Sequence, residues 1–194
     1  MTMNKLHFLF LLFLLAACGQ GQSEKAPLAG ARMGGAFTLI GEDGKAVRDT
    51  DFKGKYRLIY FGYTFCPDVC PVDVQKLMLG LKAFEKDDPA RGSKIQPLFI
   101  TVDPERDTPV ALATFTNAFH PRLIGLTGSP AAIANVAKAY GVYYQKSPGA
   151  TPGSYLVDHS RATALYGPDG APIAFIPENG SPDEIARELG RWVK

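Results

Sequence analysis

An α/β fold with a central mixed sheet, helices on both faces and an added N-terminal hairpin is the class this sequence predicts. Three observations carry it. Apolar runs of strand type alternate with helical periodicity from Arg57 to Tyr140. A hairpin turn, Gly167-Pro168-Asp169-Gly170, and a closing helix follow them. Two cysteines, Cys66 and Cys70, stand where an apolar strand hands over to a helix. Strands and helices alternating in this way cover both faces of a sheet.

The elements follow in order. Phe37 to Ile40 and Ala46 to Arg48, joined through Glu42-Asp43-Gly44-Lys45, predict a hairpin with an Asp-Gly turn. Arg57 to Tyr63 is an apolar strand, and Asp73 to Phe84 a helix with Val74, Leu77, Met78, Leu81 and Phe84 on one face. Gln96 to Val102 is a run of buried-strand type. Thr108 and Pro109 read as N-cap and first residue of a helix to Phe119. Arg122 to Leu126 is a short strand, and Ser129-Pro130 opens a helix that Gly141 closes. Val142 to Gln145 and Tyr155 to His159 are extended; Ala162 to Tyr166 and Ile173 to Ile176 flank the second hairpin turn. Ser181-Pro182-Asp183-Glu184 is a capping box for the last helix. With its cysteine pair at the end of a central strand, this arrangement is thioredoxin-like.

A thiol at a helix N-terminus ionises more readily than a free one, whose pKa is roughly 8.5. The thiolate is both nucleophile and metal ligand. Three residues separate Cys66 from Cys70, a spacing that in a regular helix sets Cβ atoms about 5–6 Å apart. A disulfide wants about 3.5–4.5 Å, whereas metal–sulfur bonds of roughly 2.3 Å bridge the spacing with less distortion. If Pro71 makes the turn irregular, a disulfide is also within reach. The spacing therefore predicts a site able to do both.

Composition is that of an ordinary globular chain, 46% hydrophobic and 21% charged in 194 residues. Lys5, then the apolar run Leu6 to Leu15 and Leu15-Ala16-Ala17-Cys18, read as a secretion signal over 1–17. The run is too short to span a bilayer. Without Lys5 the chain has 20 basic against 19 acidic side chains, which leaves no nucleic-acid footprint. Leu-Ala-Ala-Cys resembles a bacterial lipobox, which implies lipidation of Cys18. Residues 18–35, small and polar, are expected to be a flexible tether with a reach on the order of 20 Å, ahead of a folded domain at 36–194. Outside the inner membrane disulfides are permitted, so a lone close cysteine pair there is oxidised or metal-protected.

Two thiolates rarely complete a metal site. Beyond the signal the chain offers His120 and His159. His120 reads as capping carbonyls at a helix end. His159 stands next to Asp158, an acceptor for its second ring nitrogen, and is the favoured donor beside Cys66 and Cys70. Two sulfurs and an imidazole suit copper. Structural zinc wants four protein ligands, and a fourth is not apparent. Asp103 and Asp107 are hard donors, which makes Asp103-Pro104-Glu105-Arg106-Asp107 a docking or site-shaping loop; the plain alternative is that both only fix the turn and cap the helix. A peroxiredoxin-type peroxidase is disfavoured, since Ile59 and Tyr63 occupy the positions of that motif's proline and hydroxyl residue.

Tyr63-Thr64-Phe65-Cys66-Pro67-Asp68-Val69-Cys70-Pro71, Thr101-Val102-Asp103-Pro104-Glu105-Arg106-Asp107-Thr108-Pro109 and Val157-Asp158-His159-Ser160 resemble, in order, the signature segments of the Sco/SenC family. The resemblance implies a membrane-tethered thioredoxin-like protein holding one copper ion, as Cu(I) or Cu(II), through Cys66, Cys70 and His159. It implies a metallochaperone, not an enzyme, that helps assemble the dinuclear copper site of cytochrome c oxidase subunit II. The implied partners are that subunit or another cuproprotein, an upstream copper donor, and the membrane. Cys18 would replace the spanning anchor of other members and hold the domain in the bacterial envelope, facing the extracytoplasmic space. A thiol–disulfide reductase that keeps the oxidase cysteines reduced is the competing function.

Overall fold

The structure, a computed structural model, describes residues 24–194. The expected signal segment and Cys18 lie outside the described residues. Strands β1 (Thr38–Gly41) and β2 (Ala46–Arg48) form the first hairpin, closed at Gly44, whose φ of 76° is the left-handed conformation glycine adopts freely. Then come β3 (Tyr56–Gly62), α1 (Val69–Asp87), the short α2 (Pro89–Gly92), β4 (Ile95–Thr101), α3 (Pro109–Asn117), β5 (Ile124–Thr127) and α4 (Pro130–Ala139). Strands β6 (Tyr144–Pro148) and β7 (Tyr155–His159) precede the second hairpin, β8 (Thr163–Tyr166) and β9 (Pro172–Ile176), and the chain closes with α5 (Pro182–Trp192).

Seven strands make one mixed sheet in the order β2-β1-β5-β4-β3-β8-β9. β3, β4 and β5 run parallel, and the flanking pairs are antiparallel. Every residue of β3 and β4 is buried, as expected for strands covered on both faces. On one face Tyr60 stacks on Phe99 with ring centres 6.0 Å apart, and Phe99 meets Phe115 of α3 at 4.9 Å. On that side α1 lies tight against α5, because Gly80 lets them approach: a Cβ there would sit 2.6 Å from Ile185 Cβ. On the other face Phe61 packs on Tyr140, which follows α4, with centroids 5.8 Å apart. Among the described residues no helix is long and apolar enough to cross a membrane.

The N-caps stand where the sequence puts them. Thr108, Ser129 and Ser181 each accept a backbone N–H in the first turn of α3, α4 and α5, and Glu184 completes the capping box at Ser181. Three features differ from expectation. Helix α1 begins at Val69 rather than Asp73, so Cys70 and Pro71 lie inside its first turn, where a proline costs no hydrogen bond. Strands β6 and β7 pair with each other, Tyr144 opposite His159, as a second small sheet outside the main one. The stretch expected as tether lies partly on the domain. Leu28 N–H donates to Ile173 O at 2.9 Å and Gly34 N–H to Ala139 O at 2.8 Å, while Ala26 and Met33 pack against the core. Small apolar side chains and free backbone amides gave that segment something to bind, although it has no periodicity.

Candidate metal centre

Strand β3 ends at Gly62, and the next six residues turn the chain into α1. The turn is pinned from outside by Asp107, a fully buried carboxylate. Its oxygens accept Thr64 N–H at 3.0 and 3.2 Å, the Thr64 hydroxyl at 2.6 Å and the Thr101 hydroxyl at 2.6 Å. Cys66 N–H donates to Tyr63 O, and the Cys66 sulfur in turn accepts Cys70 N–H at 3.4 Å. Cys66 thus supplies the acceptor that α1 lacks from its N-cap side chain, since Asp68 makes no cap bond. Cys66 is 8% exposed and Cys70 fully buried, and both are free thiols. Burial pushes the Cys70 thiol well above its ordinary range, with the neighbouring Cys66 adding to the rise.

His159 arrives at the end of β7, 89 residues after Cys70. Its Nε2 lies 3.2 Å from the Cys70 sulfur, and its Nδ1 is 2.9 Å from Ser160 O. A carbonyl only accepts, so Nδ1 carries the proton and Nε2 presents a lone pair to the sulfur. Burial lowers the ring's pKa, which favours this neutral form. The rings of Tyr60 and Tyr63 meet the imidazole edge-on, with centroids 6.3 and 6.0 Å away. Asp158, expected as the acceptor for the ring, is not that acceptor: it is exposed on β7, where successive side chains take opposite sides, and the Ser160 carbonyl fills the role.

The β6–β7 hairpin is held in place by polar contacts to the loop after β4. Asp103, fully buried, accepts the Tyr155 hydroxyl at 2.9 Å and pairs with Arg106 Nε; Arg106 Nη1 donates to Tyr155 O at 3.1 Å. The Arg106 guanidinium lies 3.8 Å from the centre of the Tyr155 ring and 5.1 Å from that of Phe65. That cation–π stacking occupies Arg106 Nη2, which is buried without a hydrogen-bond partner. Lys146 pairs with Glu105 at 2.6 Å, and Val157 N–H donates to the Tyr63 hydroxyl at 3.3 Å. Asp103 and Asp107 are thus both fully buried, one bonded to the β6–β7 hairpin and the other to the turn before Cys66.

On the far side of the imidazole, Arg161 forks onto Asp73, with Nε to Oδ2 at 2.9 Å and Nη2 to Oδ1 at 2.7 Å; the Tyr60 hydroxyl adds a bond to Oδ2 at 3.1 Å. Sequence reasoning missed Asp73, Arg161, Arg106 and Tyr155. Only Asp73 left a signal, as an acidic residue on the buried side of a predicted helix, three residues after Cys70. Among the described residues no three His, Cys, Asp or Glu side chains close around one point as metal ligands would. Cys70 and His159 touch, while Cys66 is turned to the Cys70 N–H.

A family model described as SCO1/SenC matches residues 25–194, nearly all of the described chain. The protein belongs to the SCO1/SenC family. Protein SenC of Rhodobacter capsulatus is 41% identical over 176 residues, covering 90% of this chain and 75% of its own length. The mitochondrial SCO2 homolog of Bos taurus is 41% identical over 174 residues, 89% of this chain and 65% of that one. The chain spans between about half and two thirds of such longer Sco relatives. Among solved Sco structures, ScoI of Bradyrhizobium japonicum with copper bound matches with a TM-score of 0.74 and 42% identity, over 83% of this chain and 99% of that one. A SCO1/SenC family lipoprotein of Bacillus anthracis matches at 0.67 and 26% identity, over 81% and 92%. BsSco, described as a cytochrome c oxidase assembly protein with a disulfide switch, matches at 0.62 and 26% identity, over 87% and 96%. These Sco neighbours share the thioredoxin-like fold.

Proposed function

We propose that this Sco protein is a copper chaperone of the bacterial envelope, carrying one copper ion on Cys66, Cys70 and His159 toward the dinuclear site of cytochrome c oxidase subunit II. The contact between Cys70 Sγ and His159 Nε2 carries this reading. A buried thiol and an imidazole whose other nitrogen is already satisfied are two donors aimed at one place. The donor set fits: two soft sulfurs and a neutral imidazole suit copper in either oxidation state, and Cu(I) accepts three ligands readily. Structural zinc normally takes four protein ligands, and the other histidine of the described residues, His120, is bonded to Glu85 and the Arg122 N–H instead. The copper-bound ScoI relative supports the choice of metal. Loading draws the Cys66 sulfur from the Cys70 N–H to the ion. As the more exposed sulfur, Cys66 is also where a partner's ligand first meets the cargo, so release is ligand exchange and the protein is not an enzyme. An upstream donor supplies the ion, and a lipid on Cys18 keeps the domain at the extracytoplasmic surface. The test is Cu(I) retention against a competing chelator. A His159→Ala variant is expected to lose copper at chelator concentrations the parent withstands; equal retention would remove the three-ligand reading.

The second reading is thiol–disulfide exchange, favoured by the different exposure of the two thiols. Cys66 thiolate attacks a partner disulfide and releases one partner thiol. The Cys70 thiolate then attacks the mixed disulfide, leaving a Cys66–Cys70 disulfide and a second partner thiol. A Cys70→Ser variant traps the mixed disulfide if this chemistry operates; failure to trap oxidase subunit II leaves delivery alone.

A further inference from the structure

We propose that Asp73 and Arg161 are positioning residues for His159, a clamp that sets which nitrogen of the imidazole faces the Cys70 sulfur. The inference rests on the copper-site reading for its consequence, but its geometry stands without metal. Asp73 is three residues after Cys70 in α1 and its side chain is 7% exposed; Arg161 is two residues after His159. Their bidentate pair, 2.9 and 2.7 Å, ties the helix that carries the sulfur to the chain that follows the imidazole. Planar fork geometry of this kind fixes orientation as well as distance.

The link to the ring is a single peptide. Ser160 O, which accepts His159 Nδ1–H at 2.9 Å, belongs to the peptide group that continues into Arg161. Anchoring Arg161 therefore fixes the direction of the carbonyl that selects the Nδ1–H tautomer. Ser160 N–H donates to Tyr143 O at 2.9 Å and holds the other side of the same residue. Asp73 acts a second time through Tyr60, whose hydroxyl it accepts at 3.1 Å and whose ring meets the imidazole edge-on. Every donor around Asp73 is thus spent on an element that touches His159 or carries it. Without Arg161 the Ser160–Arg161 peptide is free to turn, Nδ1 loses its acceptor, and the proton moves to the nitrogen that faces Cys70.

Two measurements on the full chain in detergent test this. In metal-free protein with labelled histidine, the ring nitrogen resonances of His159 are expected to report one neutral tautomer, protonated at Nδ1. Arg161→Met is expected to give a tautomer mixture and Arg161→Lys an intermediate pattern, while Asp73→Asn, which keeps shape and an acceptor, is expected to shift the same resonances. In Cu(I) competition, Arg161→Met and Asp73→Asn are expected to weaken retention about 10-fold, the size seen for partners behind metal ligands. In a His159→Ala background, adding Arg161→Met is expected to change retention less than about 2-fold, because the clamp acts through the ring. Unchanged ring nitrogens in Arg161→Met, or an equal loss of retention in both backgrounds, overturns the proposal. If His159→Ala alone retains copper like the parent, the copper-site reading fails, and the metal-free nitrogens still decide the clamp.

Discussion

Asp107 shows how much of a site rests on one side chain that no ligand touches. It takes two donors from Thr64 and one from Thr101, joining the turn before Cys66 to the end of β4. Burial raises its pKa, partly offset by those donors and reinforced by Asp103. A carboxyl raised in the fold stabilises it fully below the unfolded value of roughly 3.9, and that contribution is lost as pH rises through the folded value. Near neutrality the hydrogen bonds are what Asp107 contributes. Asp107→Ala leaves the Thr64 amide and two hydroxyls unpaired and is expected to destabilise the protein by about 2–4 kcal/mol, read from urea unfolding. Alkylation of Cys66 in the same variant is expected to be faster, because the turn is no longer held. Cys70 and His159, which the fold brings into contact, were legible as candidate donors because the chain has only three cysteines and three histidines. Asp158 was misread because adjacency in sequence says nothing of side in a strand; the pairing of Asp73 with Arg161 was missed because, although Asp73 stands on the buried side of a helix, nothing local points to a partner 88 residues away.

At the scale of elements, the hairpin β6–β7 carries the imidazole yet lies outside the main sheet, so side-chain contacts, the buried Val157 together with the polar bonds of Tyr155, and not ladder pairing hold it where it rests. Tyr155→Phe deletes only the 2.9 Å bond to Asp103 and keeps the ring under Arg106. The expected cost is about 1 kcal/mol, and the amides of β7 are expected to exchange with solvent faster while those of β3 and β4 do not change. Helices α3, α4 and α5 were legible because hydroxyl N-caps followed by proline are a local code. The pairing of β6 with β7 was not: Tyr144-Gln145-Lys146-Ser147-Pro148 has no alternation, although Thr151-Pro152-Gly153-Ser154 makes a tight turn between the strands with Gly153 at a φ of 81°. The start of α1 was placed late because its first turn holds a thiol and a proline rather than the apolar stripe that begins at Val74.

For the molecule as a whole, both histidines of the described chain are held neutral by burial. His120, 2% exposed, has its pKa lowered by desolvation despite the opposing pull of Glu85 3.3 Å away, and His159 shifts in the same direction. A base depressed in the fold takes its proton first in the unfolded chain. Stability from these groups is therefore intact above roughly pH 6.5 and is lost as pH falls from there toward the folded values. Metal-free protein is expected to unfold at lower urea at pH 5.5 than at pH 7.5, and His120→Gln to show a smaller difference. The contacts of residues 24–35 with the domain bear on a different property, namely how far the domain could stand from an anchor. Should Cys18 sit in a bilayer, only six residue steps separate that lipid from Glu24, which is ion-paired to Arg191 on α5. Six steps extend to roughly 22 Å at the most, so an anchor at Cys18 would hold the Glu24 end of the domain, and with it the end of α5, within that distance of the bilayer.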